Sequence, residues 1–302
     1  MKQVRIILKS IVKSKYIYLI VFLIGITVFS YPLISSYINL QNQTKVLSNY
    51  EEEMEKLKTT EVLKKKEEAE KYNAYIKGLE GSAADEMTDE ERALSEVEYM
   101  EALNIGEVMG YVEIPEFDIK LPIYHGTGEE ILQRGIGHME RTSLPVGGEG
   151  THCVLAGHRG LPSARMFRDL DKLEKGDIFL INTLDEMLAY EVDQIRVVEP
   201  TDASSLMIEE GKDLVTLLTC DPYMINSHRL LVRGHRTEYT QEAVNESVKN
   251  RISFFEKYIE YFIIVLVFAV VFAIVWMIRR NIKIKAKIEE MKRVKIYEWE
   301  EK

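Results

Sequence analysis

Short β-prone runs separated by turn-forming residues fill the chain from Gly106 to Arg236, and they limit its fold more than any other feature. Gly, Pro, Asp and Asn between such runs are typical of a mainly β domain. Only two short helical pieces, Glu129–Gly135 and Ala164–Leu173, interrupt the pattern. Seven or eight strands with so little helix favour a closed barrel or a sandwich over a βαβ fold. The predicted strands are Val108–Ile114, Lys120–Tyr124, His152–Gly157, Ile178–Asn182, Met187–Val198, Leu214–Thr219 and Arg229–Gly234.

Two long uncharged runs lie outside this region. Residues 16–38 are 23 residues without a charge, and residues 261–278 are 18. About 20 apolar residues are enough to cross the hydrocarbon core of a bilayer. The first run is too long for the apolar part of a cleaved signal peptide, and no Ala-x-Ala site follows it. The second is apolar on all faces, which a helix of a soluble protein rarely is, and the alternative is a buried core helix. We therefore predict two transmembrane helices.

The charges at the two ends predict how these helices are oriented. Residues 1–15 carry five basic and no acidic side chains, and residues 279–302 carry a net charge of +4, whereas the whole chain carries −10. Because positive side chains favour the cytoplasmic side of a membrane, both termini are predicted to be cytoplasmic and residues 39–260 extracellular. The acidic middle argues against nucleic acid as a partner. Two cysteines cannot make a disulfide framework, and no metal-ligand spacing is present.

The segment between the first span and the β domain is predicted to be a helical spacer. Residues 41–77 contain no Pro or Gly, are rich in Glu and Lys, and carry one narrow apolar stripe. The stretch 58–61 interrupts the register of that stripe, so we expect a helix that docks lightly on the domain. Thr88 and Glu91 have the form of a capping box that opens a short helix to about Leu103.

These observations divide the chain into seven parts. They are a cytoplasmic tail (1–15), a transmembrane helix (16–38), an extracellular helical spacer and candidate lid region (39–104), a β domain (105–240), a linker (241–260), a second transmembrane helix (261–278) and a cytoplasmic tail (279–302).

Residues 214–236 carry the first candidate site residues. Cys220 lies at the end of a β-prone run, Asp221-Pro222 breaks the strand, and a second run starts at Arg229. A thiol and a guanidinium at such strand ends are expected to be neighbours. A thiolate is the nucleophilic form of cysteine, and a guanidinium can hold the oxyanion that forms when a thiolate attacks a carbonyl. The alternative is a buried apolar Cys220 and a surface Arg229.

A histidine at the end of another predicted strand is the third candidate. His158 follows Gly157, where the strand from Thr151 gives way to a loop. Residues at such ends are exposed yet held by a rigid element. Because histidine titrates near neutrality, it can give or take a proton in either half of an acyl transfer. The alternative is a structural histidine, and His228, in the loop beside Cys220, is the main rival.

The chain resembles the sortases, the membrane-anchored cysteine transpeptidases of Gram-positive bacteria, and most closely the pilus-assembling class C. The resemblance covers roughly residues 99–236. It is carried by Thr216-Leu-Leu-Thr-Cys220, Gly157-His158-Arg-Gly160 and Asn226-Ser-His-Arg-Leu-Leu-Val-Arg-Gly234, with Met109-Gly-Tyr-Val-Glu-Ile-Pro115, Leu121-Pro-Ile-Tyr-His-Gly126 and Thr142-Ser-Leu-Pro-Val-Gly-Gly148.

The resemblance implies an eight-stranded β-barrel in which Cys220 is the nucleophile, His158 the general acid and base, and Arg229 the stabiliser of the oxyanion. Arg229 is preferred to Arg233 because it matches the family position nearest the loop. Cys153, in mid-strand, is interpreted as a core residue. The implied partners are proteins with a Leu-Pro-x-Thr-Gly-like (LPxTG-like) sorting signal, cut between Thr and Gly, and a pilin lysine amine that resolves the thioester. No cofactor or metal is implied.

Several alternatives stay open at this stage. The acceptor could be a peptidoglycan amine, which would make the chain a cell-wall anchoring enzyme, or the barrel could be a non-catalytic membrane scaffold. A secreted cysteine protease is a further reading, but the order of His and Cys does not suggest a papain-like enzyme. Class C enzymes usually carry an Asp-Pro-aromatic lid, whereas residues 34–114 contain no proline. Either residues 81–103 cover the site in another way or the site is open.

Overall fold

The structure is a computed structural model that describes residues 15–79, 98–161 and 164–248, and near the C-terminus residues 258, 261–272, 274–276, 279–280 and 282–283. Two helices come first, α1 (Lys15–Lys56) and α2 (Thr59–Leu79). Two short helices, α3 (Glu129–Arg134) and α4 (Gln241–Ser247), accompany eight strands. The strands are β1 (Gly110–Ile114), β2 (Ile119–His125), β3 (Ile136–His138), β4 (Thr151–Ala156), β5 (Ile178–Thr183), β6 (Glu186–Val198), β7 (Asp213–Asp221) and β8 (His228–Thr237).

The eight described strands close into one barrel, which confirms the predicted fold class. Their order around the barrel is β1-β2-β3-β4-β7-β8-β6-β5. The pairs β2–β3 and β4–β7 are parallel, and the other neighbours are antiparallel. Closure leaves no free sheet edge, which is how barrels avoid edge-to-edge pairing. The parallel β4–β7 pair matters most for function, because parallel neighbours bring their C-terminal ends to the same rim.

Strand β3 and the burial of β8 depart from the sequence predictions. Strand β3 was not predicted, since three residues with a central Gly137 give no alternating pattern. Simple alternation along β8 predicts that Leu230 and Val232 face the core and that Leu231 shares the other face with Arg229. All three of these apolar side chains are buried. The side of β8 that carries Arg229 is therefore partly covered by protein, and it is not a plain solvent face.

The spacer consists of two helices that pack on the barrel more firmly than predicted. As expected, the helix is interrupted near residues 58–61, where the backbone N–H of Lys58 donates to Glu61 Oε2 at 3.0 Å. Tyr50, on the predicted stripe, is 1% exposed, and its hydroxyl donates to Leu184 O at 3.4 Å. Buried Asn73 donates to Leu144 O and accepts from Leu144 N, at 3.2 and 2.6 Å. A buried amide that satisfies both backbone groups of one residue fixes α2 against the barrel.

The ends of the chain are described less completely than the barrel. The chain divides into two compact units, Tyr31–Arg251 and a second that comprises Met1–Ser30 and Ile252–Lys302. Among the described residues one helix, Phe22–Lys56, is long and apolar enough to cross a membrane. Its most apolar stretch has a mean hydropathy of 1.4, and none of that stretch is buried in the protein. It overlaps the first predicted span. In the second, the structure describes a shorter apolar helix, Tyr261–Trp276. The predicted capping box at Thr88 lies outside the described residues, and residues 98–101 are helical.

A buried histidine links the segment before β1 to the barrel. His138 is 0% exposed, and its Nε2 lies 2.9 Å from Ser143 O, which requires a proton on Nε2. Its Nδ1 lies 3.0 Å from the hydroxyl of Tyr99, which in turn accepts from Gly126 N at 2.8 Å. The ring of Tyr99 packs on Tyr72 of α2 with 5.9 Å between centroids. The hydroxyl of Tyr99 also lies 3.1 Å from His138 O, and a neutral His138 with its proton on Nε2 fits all of these contacts.

This network is expected to make the barrel sensitive to mild acid. Burial lowers the pKa of His138 from 6.5 to about 4. The unfolded chain takes up this proton below pH 6.5 and the folded chain does not, so the stability is fully present above pH 6.5 and is lost as the pH falls towards 4. Between pH 7 and pH 5 the loss should be about 2 kcal/mol. Urea unfolding of the wild type and of His138→Gln at both pH values measures it.

The comparison of the two proteins isolates this one residue. Burial also lowers the pKa values of His125 and His152, and it raises that of Asp213, but these groups are present in both proteins. The His138→Gln protein should therefore show a free energy of unfolding that depends less steeply on pH. Equal pH dependence in the two proteins would show that His138 accepts its proton in the folded state.

Candidate active site

Cys220 and Arg229 lie side by side at the end of the β7–β8 hairpin. In the antiparallel register of these strands Cys220 is the direct partner of Arg229, and Asp221 is the partner of His228. The loop 222–227 joins the two strands. The sequence predicts that the thiol and the guanidinium are neighbours. The backbone pairing of the two residues agrees with this prediction. Directly opposed residues on one face have Cβ atoms about 5 Å apart.

His158 reaches the same place from the other side of β7. The last pair of the parallel β4–β7 ladder is Ala156 with Leu218. Contacts continue beyond it, since Gly157 N donates to Leu218 O at 2.9 Å and Thr219 Oγ1 donates to Gly157 O at 2.7 Å. Extending this register by two residues places His158 beside Cys220, on chains about 4.8 Å apart.

An ion pair one residue further on supports the extended register. The same spacing places Arg159 beside Asp221, and the guanidinium Nη1 of Arg159 does donate to Asp221 Oδ1. Because side chains alternate along a strand, His158 and Cys220 then share one face, and Arg159 and Asp221 share the other. Arg229 joins the first face, since directly opposed residues point the same way.

The shared face of these three residues is the outer side of the barrel. On β7, Leu217 and Thr219 are both 0% exposed, while Leu218 and Cys220 between them are half-buried. The first pair therefore points into the barrel and the second pair out of it. Cys220, His158 and Arg229 lie on this outer face at the rim where β4 and β7 end and β8 begins. A peptide could reach all three from solvent.

The imidazole of His158 has a nitrogen that is free for proton transfer. Its side chain is 24% exposed, but Nε2 itself is buried and has no hydrogen-bond partner among the described residues. The nearest acid is Glu129, whose Oε1 lies 3.5 Å from Nε2, in poor alignment for a hydrogen bond. The backbone of His158 is held because its carbonyl accepts from Phe167 N at 3.1 Å. A histidine whose backbone is held and whose Nε2 has no hydrogen-bond partner among the described residues is suited to act as a general acid and base.

The two arginines of β8 have different surroundings. Arg229 Nη1 donates to the carbonyls of Asn226 and His228, at 3.2 and 3.0 Å, and no acidic side chain among the described residues pairs with it. Arg233 grips Asp193 through Nε and Nη2, at 3.0 and 2.7 Å, and also donates to Glu209. Arg229 therefore has N–H donors available for a ligand, whereas the N–H donors of Arg233 are bonded to neighbouring acids.

The competing residues are placed away from such a role. His228 Nε2 lies 3.4 Å from the exposed carboxylate of Glu199. Cys153 is 2% exposed, and burial raises the pKa of its thiol well above its usual range, which agrees with a core residue. His125 and His152 are buried and contact backbone carbonyls, at Ala102 and Met207.

Three residues beside the candidate site were not singled out from the sequence as site residues. Arg159 follows His158 and Asp221 follows Cys220, and they form the ion pair described above. Glu129, at the start of α3, is the acid nearest to His158. The only sequence signal for the first pair is opposite charge directly after each of two candidate residues. No sequence signal points to Glu129, because α3 meets the β4 end only in the folded chain.

The fold and the site together define a class of protein. It is a closed eight-stranded barrel that carries a cysteine, a histidine and an arginine on one outer rim, at the ends of adjacent strands. A family model described as the sortase domain matches residues 112–237, which cover nearly the whole barrel.

Known proteins identify the family. Sortase C1 from Streptococcus agalactiae is 44% identical, with a TM-score of 0.59 over 65% of this chain and 100% of that one. Sortase C from Streptococcus pneumoniae is 46% identical, with a TM-score of 0.57 over 65% of this chain and 98% of that one. Sortase D from Bacillus subtilis is 32% identical over 39% of this chain and 57% of its own length. The chain belongs to the sortase family of transpeptidases, as its motifs predict.

The curated relatives are matched over only part of their length. The chain spans 57% of both the sortase D of Bacillus subtilis and the sortase A of Staphylococcus aureus. The solved class C structures are matched almost completely, and the match covers 65% of this chain, which is more than the barrel alone.

Proposed function

We propose that this chain is a membrane-anchored cysteine transpeptidase that cleaves an LPxTG-like sorting signal after Thr and transfers the acyl group to a lysine amine of a pilin. The observation that carries the proposal is the register of three strands, in which Cys220 is paired with Arg229 on one side and reached by His158 on the other. Cys220, His158 and Arg229 are all suited to acyl transfer and lie on one solvent-facing rim. A purely structural role for the three residues would not explain why they lie together.

The mechanism follows from the chemistry of the three side chains. The thiolate of Cys220 attacks the carbonyl carbon of the signal Thr, and the carbonyl electron pair moves onto oxygen. Arg229 donates hydrogen bonds to that oxyanion. His158 gives its proton to the departing Gly nitrogen, the C–N bond breaks, and a thioester remains on Cys220. His158 then takes a proton from the incoming amine, which attacks the thioester and releases the thiolate.

A pilin acceptor is favoured over a peptidoglycan amine by the relatives. One solved structure similar to this chain is titled sortase C1 of a pilus island, at 46% identity, and another is titled a pilus-related sortase C, at 38%. Those titles describe those proteins, and they make a pilin the first acceptor to test here. A peptidoglycan amine is the second candidate, because sortase A proteins are also among the relatives.

The proposed enzyme is held in the membrane by both ends. One described helix is long enough to span it, and the basic residues at positions 1–15 and 279–302 favour cytoplasmic termini. The barrel would then face the outside, with the spacer 39–104 before it and the linker 241–260 after it. A fused reporter that is active outside the cell at either terminus would contradict this topology.

Thioester formation tests the proposal. The full chain in detergent, mixed with a Leu-Pro-x-Thr-Gly peptide, should gain the mass of the peptide up to Thr and release a fragment that begins with Gly. Hydroxylamine should remove the added mass, because it cleaves thioesters. Cys220→Ala should gain no mass, and Cys153→Ala should behave like the wild type because that thiol is buried.

The acceptor is tested in a second step. A pilin with an accessible lysine, or a short amine that mimics a peptidoglycan bridge, is added to the loaded enzyme, and the faster discharge identifies the acceptor. A wild-type protein that never becomes loaded would remove the transpeptidase proposal, and preferential discharge by the cell-wall amine would move it to the second candidate.

A further inference from the structure

Arg159 lies at the centre of a buried ion-pair cluster directly behind the proposed site. The residue is 9% exposed, and its guanidinium contacts two acids on different segments. It donates to Asp221 at the end of β7, and its Nη2 lies 2.6 Å from Asp171 Oδ2 in the segment after β4. Its Nε also donates to Arg168 O at 3.3 Å. A buried guanidinium with these partners fixes the segments that carry them, because removing one partner leaves a buried charge that is not fully compensated.

The Arg159–Asp221 ion pair connects the segment that carries the proposed nucleophile to the segment that carries the proposed acid and base. Arg159 is the next residue after His158, and Asp221 is the next after Cys220. The last β4–β7 ladder pair is Ala156 with Leu218. Beyond that pair, Gly157 still bonds to Leu218 and Thr219, and the ion pair is the next contact that continues the register of β4 against β7.

A second contact shows how closely the two segments approach. Gly160 has a φ of +101°, a conformation that glycine adopts without strain. A Cβ built on it would lie 3.1 Å from Cε2 of Tyr223, in the loop that follows Asp221. Residues 158–160 and 220–223 are thus in contact through both an ion pair and van der Waals packing. The relative position of His158 and Cys220 depends on these contacts.

We propose that the Arg159–Asp221 ion pair is a positioning device that holds His158 and Cys220 at the distance required for proton transfer. The inference rests on the proposed function for its catalytic meaning. Neither residue touches substrate, because both point away from the outer face that carries Cys220. Acyl transfer needs the imidazole within hydrogen-bond reach of the groups that exchange a proton, and a misplacement of about 1 Å can cost about 100-fold in rate.

The ion pair also balances charge next to the thiol. Cys220 is surrounded by His158 and Arg159 from the end of β4, by Arg229 and His228 from β8, and by Asp221 on its own strand. Glu129 of α3 adds an acid beside His158, at 3.5 Å. With Arg159 in place, the carboxylate of Asp221 is compensated. Without it, an unpaired negative charge adjoins the nucleophile and disfavours the thiolate.

Steady-state kinetics of the full chain in detergent test the positioning role. Asp221→Asn keeps the shape of the side chain but loses the charge that Arg159 holds. We expect kcat for transfer from the LPxTG-like peptide to fall by about 10-fold or more, with KM changed by less than about 3-fold, because geometry and not peptide binding is altered. A rate within about 2-fold of the wild type would overturn the proposal.

Asp193→Asn is the matched control. Arg233 and Asp193 form a comparable pair, with side chains 11% and 28% exposed against 7% and 23% for Arg159 and Asp221. Each arginine also keeps a second acid, Glu209 or Asp171. Asp193→Asn should therefore cost similar stability and leave kcat near the wild-type value. Equal losses of kcat in the two variants would mean that the effect is general destabilisation, and the positioning role would be rejected.

Alkylation of Cys220 by iodoacetamide tests the inference without any substrate. The pH at which the rate is half-maximal should rise in Arg159→Gln, which leaves the Asp221 carboxylate without this guanidinium, and should fall in Asp221→Asn, which removes the negative charge beside Cys220 while Arg159 keeps Asp171. The Cys220→Ala protein supplies the blank for Cys153. Shifts in the same direction, or no shifts, would overturn the inference. Opposite shifts in a protein that never forms a thioester would support the ion pair and reject the proposed function.

Discussion

Replacing Arg229 with alanine is expected to slow thioester formation by about 100- to 1,000-fold while the barrel stays folded. The reason is that the guanidinium can donate hydrogen bonds to an oxyanion, and the backbone of Arg229 is paired directly with that of the nucleophile. Its contacts in the structure are two carbonyls of the adjacent loop, at 3.2 and 3.0 Å, so little folding energy depends on it. Single-turnover loading with an LPxTG-like peptide, followed by mass spectrometry, measures the effect.

Arg233→Ala gives the opposite profile and serves as the comparison. This arginine lies four residues along β8, about 13 Å from Arg229, and it holds Asp193 and Glu209. Its removal leaves Asp193 without its ion-pair partner, while Glu209 keeps Lys212, so the melting temperature should fall while the loading rate of the folded protein stays near the wild type. If Arg229→Ala loaded at a near-native rate and Arg233→Ala did not, the oxyanion role would belong to Arg233.

The His158→Ala protein is expected to lose about 100- to 10,000-fold in transfer rate, because general acid and base catalysis by a positioned side chain has this size. Nε2 of His158 has no hydrogen-bond partner among the described residues, and Glu129, whose Oε1 lies 3.5 Å from it, keeps its hydrogen bond from Gln133 when the imidazole is removed. The effect should therefore be on rate rather than on stability. The ring is partly exposed, at 24%, and its removal opens a space that free imidazole can enter. Added imidazole should restore part of the rate.

His228→Ala separates the two histidines near Cys220. His228 faces Glu199 at 3.4 Å and Ser227 Oγ at 2.9 Å, on the far side of the hairpin from β4. Its loss should change the transfer rate by only a few fold, and imidazole should have no effect on that protein. Strong loss in His228→Ala together with a mild effect in His158→Ala would exchange the two assignments.

Much of the barrel could be predicted from local sequence pattern. Strand β4 and strand β7 were placed within about two residues of their observed ends, because continuous β-prone runs end at Gly157 and at Asp221-Pro222. The spacer helices were predicted from composition and periodicity, and their interruption near residues 58–61 from the broken stripe. Strand β3 was missed because three residues with a central Gly carry no alternation, and it exists only because β2 and β4 hold it from both sides.

The sequence by itself determined which residues are the candidates for the chemistry and which ends of which strands they occupy, because side-chain type and strand breaks are local properties. Only the tertiary structure decided that β4 lies parallel to β7, so that His158 approaches Cys220 across 62 positions of chain, and that the residues which follow them form an ion pair. Strand order depends on how the whole barrel closes and buries its core, and no short stretch of sequence contains that information.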